Sequence, residues 1–143
     1  MASPQLEKTL TALAGEFLVA GQLCLKGYVA SLTLKNYPEV DIFCLDPATK
    51  EQVAIQVKTK RRGREYYIPE KEQQVPFVFV YIRGEDVEYY VVPGRDVSRL
   101  ANEERDRYLA RHPHVNPKQP LMLSVTNLGD YLNRWELLWR QSS

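Results

Sequence analysis

The sequence predicts one α/β domain built on a central mixed β-sheet flanked by helices. Three observations carry this expectation. The chain has 143 residues and 44% hydrophobic content, which suits one soluble domain with its own core. Two short strand patterns, 41–45 and 51–59, are separated only by the turn "DPATK", too short for a crossover, so they form an antiparallel hairpin. The run "PFVFVYI" (76–82) is apolar throughout, as a strand covered on both faces must be. The expected organisation is a single domain over 1–143, with a core at about 4–93 and C-terminal helices at about 95–140.

The elements follow in order. Ser3 and Pro4 are a cap residue and a proline at the first helical position. Leu6, Leu10, Leu13, Ala14, Phe17, Gly21 and Cys24 recur at helical spacing as one apolar stripe, expected to face the core, and Lys26–Gly27 stop the helix. Glu16 falls on the flank of that stripe, beside Ala20 and Leu23, where it borders the core. "YVASLTL" (28–34) reads as the first strand and "KNYPEV" breaks it. In the hairpin, Leu45 opposite Gln52 pairs Phe43 with Ala54 and Asp41 with Gln56. Period-2 alternation puts Gln56 and Lys58 on one face, so Asp41, Gln56 and Lys58 are expected to cluster. After 76–82 comes a turn and a shorter strand, 89–93. A polar helix spans 95 to about 110, and "HPHVNPKQP" is a proline-rich loop. "LMLSV" is a short strand. Leu128, Tyr131, Leu132, Trp135 and Leu138 mark an amphipathic C-terminal helix capped by Thr126 or Asn127.

Composition narrows the function classes. Net charge is +1, so any attraction to nucleic acid must be local. Cys24 and Cys44 sit in apolar runs and read as buried, reduced thiols. His112 and His114 have no cysteine or carboxylate nearby at ligand spacing, which argues against zinc, and no histidine sits where a Ser-His-Asp hydrolase needs one. No apolar stretch approaches about 18 residues, and the N-terminus lacks the pattern of a secretory signal. The expectation is a cytoplasmic protein without a membrane span.

The residues that carry chemistry are Glu16 in "GEFLVAG", Asp41 in "YPEVDIF", and Gln56 and Lys58 in "AIQVKTK". Their order resembles that of the PD-(D/E)xK nuclease superfamily, the restriction-endonuclease-like and Holliday-junction-resolvase-like fold, over roughly residues 10–92. The Gln-x-Lys spelling is most similar to the Mrr-type branch. Two features depart from the family pattern: Pro38-Glu39-Val40-Asp41 stands for its Pro-Asp, and Gln56 replaces the middle acid.

The resemblance implies a Mg²⁺- or Mn²⁺-dependent deoxyribonuclease. Phosphodiester hydrolysis calls for a hard cation on oxygen ligands. Asp41, the Gln56 amide and the Val57 backbone carbonyl would supply them, with Glu16 reaching the cation directly or through a water. Lys58 would orient the attacking water and help withdraw its proton, a role that calls for a lowered pKa.

Five of the seven residues from Lys58 to Arg64 are basic. Lys35, Lys60, Arg61, Arg62 and Arg64 are the candidate phosphate contacts, although a solvated loop would look the same. Tyr66 and Tyr67 either stack on unpaired bases or belong to a strand or the core. DNA is the expected partner. A homodimer is expected because one active site cuts one strand, with Trp135 and Trp139 as candidate surface aromatics. The other readings are a catalytically silent member that only binds nucleic acid, and a protein-interaction module.

Overall fold

The computed structural model describes residues 3–34 and 39–139. The elements are α1 (Pro4–Leu25), β1 (Val29–Leu32), β2 (Ile42–Leu45), β3 (Gln52–Lys60), β4 (Glu65–Ile68), β5 (Phe77–Arg83), β6 (Asp86–Val92), α2 (Gly94–Arg111) and β7 (Leu121–Ser124). Three short 3-10 turns follow, Val125–Asn127, Gly129–Tyr131 and Trp135–Trp139. Five strands form a mixed sheet in the order β1-β2-β3-β5-β6, and β4 pairs with β7 in a separate two-stranded sheet. The expected α/β class with a central mixed sheet flanked by helices is what forms.

The hairpin register is the expected one: Leu45 lies opposite Gln52 and Phe43 opposite Ala54. Its turn is built by Asp46, whose Oδ1 accepts from the Ala48 N–H at 2.9 Å, and by Lys50 at φ 67°. β3 then changes partner. Residues 52–55 pair with β2, whereas 56–60 run parallel to β5 with Gln56 opposite Phe77.

Side chains alternate across β5 and divide the interior into two cores. Val78 and Val80 join Val19, Leu23, Ile42, Ile55, Tyr89 and Trp135 on the α1 face. Phe77 and Phe79 join Tyr66, Tyr90, Val97, Ala101 and Leu123 on the face covered by α2, β4 and β7.

α1 starts as expected, with Ser3 Oγ accepting from the Leu6 N–H at 3.2 Å and Pro4 in the first turn. Its buried face, however, is not the apolar stripe. Gly15, Val19 and Leu23 pack inward, while Leu6, Leu10, Ala14, Phe17, Gly21 and Cys24 are exposed and Leu13 is half-buried. Gly15 gives the reason. A Cβ there would sit 1.7 Å from Thr59 Oγ1 on β3, so the missing side chain lets the helix lie against the strand. Bulkier residues on that face would hold the helix away. Of the two thiols expected to be buried, Cys44 is and Cys24 is not.

The amphipathic C-terminal helix does not form either. Leu128 belongs to the α2-side core, whereas Trp135 and Leu138 belong to the α1-side core. One straight helix cannot serve both faces of a sheet, so the segment crosses its edge in short turns. Asn133 adopts φ 57° and its N–H donates to the Tyr89 carbonyl at 2.8 Å, and Leu132 bridges to Tyr90. This covers the outer edge of β6. The cap of the first turn is Ser124, which accepts from the Thr126 N–H, not Thr126 or Asn127. Trp135 is buried and Trp139 half-buried with its ring 5.1 Å from that of Tyr28.

The Gly15–Thr59 contact yields a test. Gly15→Ala is expected to lower stability by about 1–3 kcal/mol through overpacking, despite the better helix propensity of alanine. Gly15→Ala combined with Thr59→Ala should recover part of that loss, read as urea midpoints of both variants. A stabilised Gly15→Ala protein would contradict the contact.

Candidate active site

The partner change in β3 opens a notch in the sheet. β2 begins at Ile42, and Asp41 is the residue just before it. The Asp41 N–H still donates to the Ile55 carbonyl at 2.8 Å, but its side chain takes over the next ladder position. Asp41 Oδ2 accepts from the Val57 N–H at 2.7 Å, where a continued β2 would have offered a backbone carbonyl. In an extended residue the N–H and C=O face the same strand edge, so the Val57 carbonyl points to the Asp41 side. Gln56 faces the opposite edge, its N–H donating to the Pro76 carbonyl at 3.0 Å.

A cleft of about 750 Å³ wraps this notch. Glu16, Asp41, Gln56, Val57 and Lys58 all line it, together with Lys60, Arg61 and Arg62. A second cleft of about 320 Å³, between α1 and the segment after β1, shares Lys8, Ala12, Glu16 and Asp41 with the first. Every residue proposed from sequence for the chemistry therefore borders one continuous groove. Among the charge-bearing candidates, Arg64 is exposed but does not line it; its carbonyl accepts from the Val125 N–H at 2.8 Å. Lys35 and Pro38 lie outside the described residues.

The two readings of the tyrosine pair divide between the two residues. Tyr66 is core: its hydroxyl donates to the Val80 carbonyl at 2.8 Å, and burial holds its pKa well above the ordinary tyrosine range. Tyr67 is exposed on the cleft wall, where a ring can stack. Lys8 was not anticipated, although it precedes Glu16 by two helical turns on the groove-facing side of α1. Nor was the exposed ion pair in which Arg62 donates to Glu7 at 3.2 Å, tying the first turn of α1 to the basic loop. At that exposure the pair contributes about 0–1 kcal/mol.

Burial sets the electrostatics. The Asp41 carboxyl is pushed above its ordinary value by desolvation, opposed by the Val57 N–H and by the Lys58 charge. The Lys58 ammonium is pushed down by desolvation, opposed by Asp41. The neutral amine, the form that accepts a proton, is therefore easier to reach than at a surface lysine.

The donor atoms of the notch are all oxygen: the Asp41 carboxylate, the Val57 carbonyl, the Gln56 amide and the Glu16 carboxylate. That chemistry fits a hard divalent cation better than a thiophilic one. Among the described residues no group of three or more His, Cys, Asp or Glu side chains is gathered to hold a metal. Three carboxylates line the cleft, Glu7, Glu16 and Asp41, and Glu7 is paired with Arg62. Comparison with family models, curated proteins and solved structures finds no match to this chain.

The cost of burying Asp41 has a sign that can be checked in metal-free protein. Its folded pKa lies above the ordinary 3.8, so the ionised folded state is penalised at neutral pH and the penalty disappears once the carboxyl is protonated in both states. Asp41→Asn, which keeps an acceptor for Val57, is expected to melt higher than wild type at pH 7 in EDTA. The gap should close as pH falls below about 4, followed by thermal scans between about pH 3 and pH 8. A variant that melts lower at pH 7 would contradict the assignment.

Proposed function

We propose that this chain is a metal-dependent endonuclease that hydrolyses DNA phosphodiester bonds, with Mg²⁺ or Mn²⁺ as the cofactor. The observation that supports it most is the notch itself. One strand end brings Asp41, Val57 and Lys58 together beside Glu16, at the mouth of a groove with basic residues on one wall. A half-buried carboxylate next to a lysine whose ammonium form is disfavoured is costly to fold around. Such pairs concentrate at functional sites.

A divalent cation would be held by Asp41, the Gln56 amide oxygen and the Val57 carbonyl, with Glu16 directly or through a water; it supplies charge neutralisation at the reacting phosphate. Asp41 keeps its geometry because the Val57 N–H fixes one of its two oxygens. Lys58, in its neutral amine form, orients the attacking water and takes up its proton as the water oxygen bonds to phosphorus and the ester bond to the leaving strand breaks, the departing oxygen taking a proton from solvent. Lys60, Arg61 and Arg62 contact backbone phosphates; such contacts are salt-sensitive and blind to sequence. Gln56 contributes an oxygen without a charge, which lowers affinity for the cation relative to an acid pair and raises the concentration needed for turnover. The resemblance to PD-(D/E)xK nucleases in the order Glu16, Asp41, Gln56-x-Lys58 agrees with this reading.

The test is cleavage of labelled duplex, single-stranded and four-way-junction DNA with Mg²⁺, Mn²⁺ or EDTA. Wild type is expected to cut only with metal. Lys58→Ala should slow the step by about 10²- to 10⁴-fold, and Asp41→Ala should abolish it within detection. DNA binding that persists in EDTA without cutting under either metal would establish instead a silent nucleic-acid-binding protein.

Binding offers an independent check. Removing Arg61 or Lys60 should weaken affinity equally for all sequences and reduce the slope of log affinity against log salt by about 1 each. An unchanged slope, from titrations at several salt concentrations, would take the basic wall out of the interface.

A further inference from the structure

The exposed face of α1 has the pattern of a helix seam. Leu6, Leu10, Leu13, Phe17, Ala20 and Cys24 are spaced 4, 3, 4, 3 and 4 apart, the alternation of an a/d heptad stripe. Yet this seam does not meet the sheet. Leu6 is 48% exposed, Leu10 50% and Phe17 59%, while Leu13 and Ala20 are half-buried along its margin. The charged residues of α1, Glu7, Lys8 and Glu16, all stand off it. A charge-free stripe running the length of a 22-residue helix, about 33 Å, is larger than the isolated surface apolar residues of a monomer.

The distribution of side-chain size along the seam selects the occupant. Its large residues, Leu6, Leu10, Leu13 and Phe17, come first, and its small ones, Ala20 and Cys24, occupy the C-terminal end. A second copy of the same helix in antiparallel orientation sets large against small on both sides of the axis, Leu6 against Cys24 and Leu10 against Ala20, and places Leu13 beside Phe17 at the axis itself. A parallel copy would set Phe17 on Phe17 and leave Cys24 against Cys24. An unrelated helix would have no reason to match this gradient. We propose that the chain forms a twofold homodimer through antiparallel packing of α1 on α1, with the axis passing level with Gly15. Roughly 500 Å² per copy would be buried, about 1,000 Å² in total, at the lower limit of specific interfaces, so the dimer is expected to be in the micromolar range.

Symmetry fixes where the two clefts go. A twofold relating antiparallel neighbours runs normal to the plane of the two helices, so a feature on one side of the first helix recurs on the same side of the second. Glu16 lies about a quarter-turn round α1 from Phe17, off the seam and close to the axis level. The two grooves therefore open on one side of the dimer in opposite directions, as two antiparallel DNA strands require. That last consequence rests on the proposed nuclease reading, and the assembly does not.

The test uses the whole chain without DNA or metal, so its failure is separable from failure of the nuclease reading. Sedimentation across about 1–200 µM should show a reversible monomer–dimer equilibrium. Phe17→Glu and Leu10→Glu, both at exposed positions, should raise the dissociation constant at least about tenfold with unchanged circular dichroism. A short bis-maleimide should link copies of Leu6→Cys to one another through the native Cys24. It should not link wild type, whose two Cys24 residues would stand about 27 Å apart along the axis, nor the Leu6→Cys, Cys24→Ser double variant. Cys44 is buried and does not compete. Wild type that stays monomeric over the whole range overturns the proposal. Cross-linking of wild type through Cys24, or a dimer indifferent to Phe17→Glu, equally overturns the antiparallel seam.

Discussion

The hydrogen bond from the Val57 N–H to the Asp41 carboxylate is the constraint on which the site depends. β3 must leave β2 in order to pair with β5, and leaving exposes backbone groups at the notch. A side chain satisfies one of them, so the strand can part from its neighbour without an orphaned donor. That bond draws Asp41 into a half-buried position, where losing water raises its pKa, and the same burial lowers that of Lys58. Geometry and electrostatics are thus two results of one break in a sheet.

The face of β3 turned toward α1 bears the mechanical load. Gly15 lets α1 approach until Thr59 Oγ1 occupies the space of a missing Cβ, and that hydroxyl is buried with no partner among the described residues. An unsatisfied hydroxyl costs about 1–3 kcal/mol, accepted here where the helix must come close. The neighbours of this contact along each chain are Glu16 on the helix and Lys58 on the strand. A helix held further out would carry Glu16 away from the notch.

Much of this was legible in the amino acids. Period-2 alternation and a short Asp-Pro turn determined the β2–β3 register, and the register put Asp41 next to Gln56. The starting cap of α1 and the doubly covered β5 were equally plain, because each depends on local chemistry. The errors came where one apolar residue has two possible uses. The larger stripe of α1 looked like its core face, but a single glycine turned the helix so that Val19 and Leu23 face in. The apolar positions between Leu128 and Leu138 looked like one helix, but they serve two cores on opposite faces of the sheet. β4 was hidden because four residues after a basic run carry too little pattern. Tyr67 and Lys8 reach the groove only through the tertiary arrangement of β4 and α1, which no local spacing encodes.

The change of partner along β3 also divides the strand in time. Its first half meets β2 across a tight turn, a local closure with little entropy to lose. Its second half waits for β5, reached only through a connection that contains β4, and parallel pairing over such a span is slow. Asp41 and Gln56 are therefore neighbours early in folding, while the stretch bearing Lys58 gains its support late. An unfinished molecule carries the hairpin but lacks the notch.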